Sequence, residues 1–262
     1  MNTTEPQIIK VGHTPFLDTS GVAAEINEAI AQKRPFSLVR LGDGESFVLG
    51  YEDTTKPEEI ELILGMWFGP NKIDREDVLK IRSMLLEAIQ GCDILGIPDN
   101  PKTSEKFRRV AHNVNRYGLW DGRAKLCSHE VHMTLHEEHK FSGLLTGLDF
   151  LGLITPRDLN ELVKKTWGIG QVERWSLPEE YHYARDKGSV KRHYPDRFKA
   201  IMQEIDVPYP GAVFLVGAGV LGKIYCHRIK ELGGIAIDIG STFDAWASFN
   251  ARGNVKRMRL GL

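Results

Sequence analysis

Apolar runs of four to seven residues alternate with longer polar stretches of helical period along the chain. "PFSLVRL" (35–41), "CDILGIP" (92–98), "FLGLIT" (150–155), "AVFLVG" (212–217) and "IAIDIG" (235–240) read as buried strands, with "AKLCSHE" (124–130) and "IGQVERWSL" (169–177) as two more. Between them, "VAAEINEAIAQK" (22–33), "PEEIELILGMWFG" (57–69), "DREDVLKIRSMLLEAIQ" (74–90), "VHMTLHEEHKFSGLL" (131–145) and "VLGKIYCHRIKELGG" (220–234) carry apolar residues at helical spacing. Further helices are expected over "SEKFRRVAHNVNRYG", capped by Ser104, over "PRDLNELVKKT", started by Pro156, and over "STFDAWASF", capped by Ser241. The segment 178–198 is polar and aromatic and reads as a helix with an active-site loop. Strands alternating with helices imply an α/β fold, a mostly parallel sheet with helices on both faces. There is no repeat or linker, so residues 1–262 are expected to form a single domain, with 1–20 as an N-terminal extension and 251–262 as a basic tail.

Two turns carry more polar chemistry than a turn requires. The first follows an apolar run: Arg40-Leu41-Gly42-Asp43-Gly44-Glu45. Gly42 and Gly44 free the backbone for a sharp bend at the C-terminal end of a strand, the edge where α/β sheets bind ligands. Asp43 and Glu45 are two residues apart, so in an extended or turning chain both carboxylates can face one way. Clustered carboxylates repel unless they share a cation. Mg²⁺ or Mn²⁺, hard ions that take oxygen ligands and phosphate, suit such a pair, and Arg40 could grip a phosphate oxygen. A solvated polar turn would account for the same residues.

The second is Gly217-x-Gly219-x-x-Gly222 between a strand and a helix, with Asp238 at the end of the next strand. This is the dinucleotide pattern: glycines let phosphate approach the backbone, and the acid takes a ribose hydroxyl. Its place in the chain argues against nicotinamide. A dinucleotide domain opens on this fingerprint, whereas here one further strand fits before the chain ends. A phosphate site is kept and NAD(P) is set aside as the alternative.

Composition narrows the class. The chain is 42% apolar and 26% charged with formal net charge −1. That suffices for a sizeable core and gives no basic block for nucleic acid. Three scattered cysteines and the lack of an apolar N-terminal run point to a cytoplasmic protein with reduced thiols. No apolar run is long enough to span a bilayer.

"FSLVRLGDGE" resembles the N-terminal signature of the GT-D-type glycosyltransferases, bacterial enzymes with a Rossmann-like fold and an acid-x-acid metal motif. Asp43-Gly44-Glu45 matches that motif. "LVGAGVLGKIYCHRIKELGGIAIDIGSTFDAW", "LITPRDL" and "HYPDRF" are similar to later landmarks of the group. The resemblance implies a metal-dependent transfer of sugar from a nucleotide-diphosphate sugar, a UDP-sugar first among them, to a glycan or glycoprotein acceptor. Asp43 and Glu45 would hold Mn²⁺ or Mg²⁺ against the departing diphosphate, and Arg40 would add a second positive contact. The loop from Gly217 to Gly222 would cradle phosphate, Asp238 would bind ribose, Arg157 would bind phosphate, Ser241 would join the nucleotide site, and Asp244 would face the cleft. His132, Glu130 and His193 are candidate general bases. His129, His132 and His136 do not make an HExxH zinc motif. The tryptophans could stack a base or sugar, with core packing as the simpler role. The competing readings are an NAD(P)-dependent oxidoreductase and a non-catalytic nucleotide-binding protein of the same fold.

Overall fold

In a computed structural model, residues 16–69, 73–98, 105–119, 122–184 and 192–249 are described. The basic tail, Ser104 and Trp120 lie outside them, as does the side chain of Asp43. Eight strands form one sheet in the order β1-β4-β3-β2-β8-β7-β5-β6. These are β1 (Phe16–Leu17), β2 (Phe36–Arg40), β3 (Ile94–Ile97), β4 (Lys125–Ser128), β5 (Phe150–Thr155), β6 (Gln171–Ser176), β7 (Val213–Val216) and β8 (Ile235–Asp238). All neighbouring pairs are parallel. A parallel sheet is covered on both faces, so its strands read as unbroken apolar runs rather than as alternation. That is why "FSLVR", "VFLV" and "IAID" were legible as strands.

Period-2 geometry divides each strand between two cores. Val39, Phe214, Val216 and Ala236 join one core, beneath α2 (Asp43–Leu49), α3 (Pro57–Phe68), α4 (Arg75–Gln90), α5 (Glu105–Arg116), α9 (Phe198–Glu204) and α10 (Gly219–Glu231). Phe36, Leu38, Leu215 and Ile237 join the other, beneath α1 (Thr19–Gln32), α6 (Val131–Glu137), α7 (Lys140–Leu145), α8 (Asn160–Trp167) and α11 (Thr242–Trp246). Trp167 and Trp246 fill the second core and Trp175 the first, so these three pack the interior.

The last strand does not extend the sheet at an edge. β8 slots between β2 and β7, pairing Leu38 with Ile237 and Val216 with Asp238. The C-terminal ends of β2, β7 and β8 therefore lie side by side, and the two glycine turns face one crevice at the carboxyl edge of the sheet, the edge where α/β folds bind ligands.

Four local expectations are corrected. The turn after β2 is the start of α2: Gly42 is its N-cap, and the Glu45 side chain accepts the Gly42 amide at 2.7 Å. The segment 131–145 is two helices, broken where His139 takes φ 56°. Pro156 lies outside α8, which begins at Asn160. Ser241 stands at the N-cap of α11 without a side-chain cap bond. Within the expected N-terminal extension, Phe16 and Leu17 pair with β4, and Asp18 caps α1 by accepting from the Gly21 amide at 2.7 Å.

Candidate active site

The crevice holds a cavity of about 460 Å³, a volume that suits a small organic ligand. Its wall includes Arg40, Gly42, Gly44 and Glu45 from the first turn and Gly217, Gly219 and Lys223 from the second. His132, Arg157 and Ser241 also line it. Gly222 and Asp238 do not reach it; Gly222 sits one turn into α10 against Val216.

Behind this wall lies a chain of buried charges. Lys223 Nζ is 2.6 Å from Glu45 Oε1, 3.0 Å from Asp238 Oδ2 and 3.1 Å from the Gly219 carbonyl. Two ion pairs and one hydrogen bond to a carbonyl surround the ammonium. Arg40 donates to the Asp238 carboxylate (3.1 Å) and carbonyl (3.0 Å) and to the His129 carbonyl (2.8 Å), and its Nη1 lies 2.6 Å from His132 Nδ1. Two cations and two carboxylates thus neutralise one another almost without solvent. Burial alone would raise the Glu45 and Asp238 carboxyls, but the Lys223 ammonium beside Glu45, and the Arg40 guanidinium together with that ammonium beside Asp238, hold both below their ordinary values. Burial would likewise depress Lys223, and the two carboxylates reverse that and raise it. Glu45, Asp238 and Lys223 are therefore charged at neutral pH.

Close backbone approach makes the arrangement possible. A Cβ at Gly240 would stand 2.2 Å from Arg40 Nη2, and one at Gly96 would stand 2.9 Å from Arg40 Cγ. Gly217 is needed for a similar reason, since its Cβ would meet the Phe243 ring at 2.5 Å and the Gly240 carbonyl at 2.7 Å.

The expected site residues are only partly brought together as envisaged. Asp43 and Glu45 are not in an extended turn; they are positions i and i+2 of a helix, which lie on different sides of it. Asp238 is not presented to a ribose: it lies 2% exposed behind Arg40 and Lys223, with Oδ1 also accepting the Gly240 amide. Arg157 is on the wall, held by Asp244 at 2.8 Å and by Glu179, with its guanidinium 3.7 Å from the Phe249 ring centre.

The candidate bases separate. Arg40 has only protons to give, so the His132 nitrogen facing it must accept. Burial and then the Arg40 charge push His132 well below its ordinary value. His193 is buried, with Nε2 2.9 Å from the Tyr225 hydroxyl, and burial followed by Arg197 lowers it to about 3. Neither ring suits a general base at neutral pH; Glu130 is exposed on the cavity wall.

His193 gives a pH prediction. Its folded value lies below the ordinary 6.5, so its contribution to stability is present above about pH 6.5 and is lost as pH falls towards 3. Between pH 6.5 and 5 this amounts to about 2 kcal/mol from His193. Urea unfolding at the two pH values should show the loss, and His193→Gln should remove that share of the slope. An unchanged slope in the variant would show that the acid sensitivity lies elsewhere.

Lys223 was not singled out in the sequence. The signal was present: Gly217-x-x-x-x-Gly222-Lys223 follows a buried strand, as in loops that bring a lysine to phosphate. Ile224 stands where such loops place the hydroxyl that holds Mg²⁺.

A family model for GT-D fold-like domains matches residues 17–167, more than half of the chain. The chain belongs to the GT-D-like family. Solved structures of similar fold include one reported as the highly conserved domain of unknown function 1792 with a distinct glycosyltransferase fold. It is 14% identical, with TM-score 0.53 over 97% of this chain and 87% of that one. A second, reported as a new glycosyltransferase (DUF1792) from Streptococcus sanguinis, is 14% identical, with TM-score 0.54 over 91% of this chain and 86% of that one. No curated protein matches the sequence. At these identities the likeness establishes the GT-D glycosyltransferase fold. Lys223 and Asp238 lie beyond the matched span, so their roles rest on geometry. No helix among the described residues is long and apolar enough to cross a membrane.

Proposed function

We propose that this GT-D-like protein is a glycosyltransferase that takes a nucleotide-diphosphate sugar, with UDP-sugars as the first donors to test, and passes the sugar to a glycan or glycoprotein acceptor. The observation that carries this reading is the pair of buried cations, Arg40 and Lys223, on the wall of a cavity at the C-terminal edge of a parallel sheet. In the transfer, the bond from the anomeric carbon to the diphosphate oxygen breaks and its electron pair goes to the diphosphate. The acceptor hydroxyl oxygen forms the new bond to that carbon and gives its proton to a base. A floor whose cations balance its carboxylates in a fixed arrangement does not repel a leaving group that gains negative charge, and preorganised electrostatics of this kind is the largest contribution such a site can make. Arg157 would contact the donor or the departing phosphate from the opposite wall.

The divalent cation expected at Asp43 and Glu45 is not part of this reading. Glu45 Oε2 is taken by the Gly42 amide and Oε1 by Lys223. Among the described residues no three His, Cys, Asp or Glu side chains converge to hold a metal ion. The oxidoreductase reading loses its ribose ligand, because Asp238 is turned into the ion cluster.

The test is a melting-temperature and calorimetry panel of UDP-, GDP- and other nucleotide sugars against NAD(H) and NADP(H), followed by donor hydrolysis. At least one nucleotide sugar should raise the melting temperature by mass action and be turned over slowly. Micromolar binding of a nicotinamide cofactor would revive the oxidoreductase reading. Binding of a nucleotide sugar with no hydrolysis and no transfer to any acceptor would favour the non-catalytic protein.

A further inference from the structure

We infer that the Lys223 ammonium occupies the place of a divalent cation in this protein, so that its cavity binds a nucleoside diphosphate without metal. The inference rests on the glycosyltransferase reading for the identity of the anion, but not for the claim about the cation. Its basis is the saturation of the donor set. Glu45 has both oxygens engaged, one by Lys223 and one by its own helix N-cap. Asp238, the other acid paired with Lys223, has Oδ1 on Arg40 and the Gly240 amide and Oδ2 in the ion pair with Lys223.

A cation entering between Glu45 and Asp238 would have to expel an ammonium that is 4% exposed, ion-paired with both carboxylates and hydrogen-bonded to the Gly219 carbonyl. Divalent cations and lysine solve the same electrostatic problem, which is to stop two buried carboxylates repelling an incoming anion. Here lysine does it: with Arg40, two positive charges meet two negative ones, and the floor of the cavity presents no net negative charge to a diphosphate. Without the ammonium the same floor would carry an excess carboxylate that repels the anion and attracts a metal. The Ile224 side chain, buried beside Lys223, brings no oxygen that could hold Mg²⁺ on a bound phosphate.

Two probes test this, Mn²⁺ alone and UDP with or without Mn²⁺. The wild-type melting temperature should be the same in EDTA and in millimolar Mn²⁺, and the dissociation constant for UDP should be unchanged between them. Lys223→Met, which keeps length and removes charge, should melt lower in EDTA and recover in Mn²⁺. That recovery should be roughly 5 °C or more, as expected when the cation is near a hundredfold above its dissociation constant in a chain of this size. UDP binding to the variant should become Mn²⁺-dependent. Lys223→Arg keeps the charge and should remain indifferent to Mn²⁺.

Stabilisation of the wild type by Mn²⁺, lost in Glu45→Gln, overturns the inference. So does wild-type UDP binding that disappears in EDTA, or a Lys223→Met protein that folds and ignores Mn²⁺. If Lys223→Met does not fold, the wild-type and Lys223→Arg arms decide alone. Failure of UDP and every other nucleoside diphosphate to bind under any condition counts against the glycosyltransferase reading, while the Mn²⁺-only melts still decide the question of the cation.

Discussion

Arg40→Met is expected to destabilise the protein by about 3–5 kcal/mol, the usual consequence of removing one partner from a buried ion pair. In a chain of this length that is on the order of 10 °C in melting temperature. The large effect follows from how much one guanidinium holds together. It joins the end of β8 through the Asp238 carbonyl and carboxylate, the loop after β4 through the His129 carbonyl, and the first turn of α6 through the His132 ring. Methionine fills a similar volume but donates nothing, so it leaves two buried carbonyls, an imidazole and part of a carboxylate without their donor. Sugar transfer should fall by at least ~10²-fold even at temperatures where the variant is folded, because the floor beneath the leaving group then carries one uncompensated carboxylate. Arg40→Lys should rescue only part of this. A lysine is a point charge that cannot reach acceptors lying on several sides of a planar fork. Chemical denaturation and UDP calorimetry on both variants check the pair of effects. Wild-type stability and UDP affinity in Arg40→Met would remove Arg40 from the centre of the site.

The sheet was legible because both its faces are covered, which turns strands such as Val213–Val216 into unbroken apolar runs with glycine stops. The two turns that line the cavity stood out for a related reason: β2 and β7 each run into closely spaced glycines, and β2 into charge as well. The partners within the site were not legible. Arg40 and Asp238 are 198 residues apart in sequence, and they meet only because the last strand inserts between β2 and β7. Nothing local to "IAIDIG" specifies that insertion, and without it Asp238 reads as a ribose ligand. The acidic triplet misled in a different way. A glycine on each side of an aspartate suggests an open turn, yet Gly42 serves as an N-cap and Glu45 closes back on its amide, so the spacing is that of a helix start. An extended chain places residues i and i+2 on the same side whereas a helix places them on different sides, and the shared-carboxylate expectation depended on the turn.

Gly240→Ala should damage the site almost as much as loss of Arg40, through space rather than charge. Gly240 adopts φ +47°, where an L residue costs about 1–2 kcal/mol. That cost alone can be calibrated at Gly168, where φ is +63° and a Cβ would meet nothing within 4 Å. Gly240 carries a second burden, because its Cβ would lie 2.2 Å from Arg40 Nη2. The guanidinium must shift, and a shift of the order of 1 Å in a group that positions charge can lower transfer by about 10²-fold. The two contributions separate in a double-mutant cycle. In the Arg40→Met background there is no Nη2 to strike, so Gly240→Ala should cost little more than Gly168→Ala. The four proteins, compared by urea unfolding, should therefore show a coupling between positions 40 and 240 in the range of about 0.5–3 kcal/mol found for residues in contact. Additive behaviour would mean that Gly240 is required only for its backbone angle. A coupling of this size would mean that the glycine ending β8 is there to leave room for the arginine that ends β2.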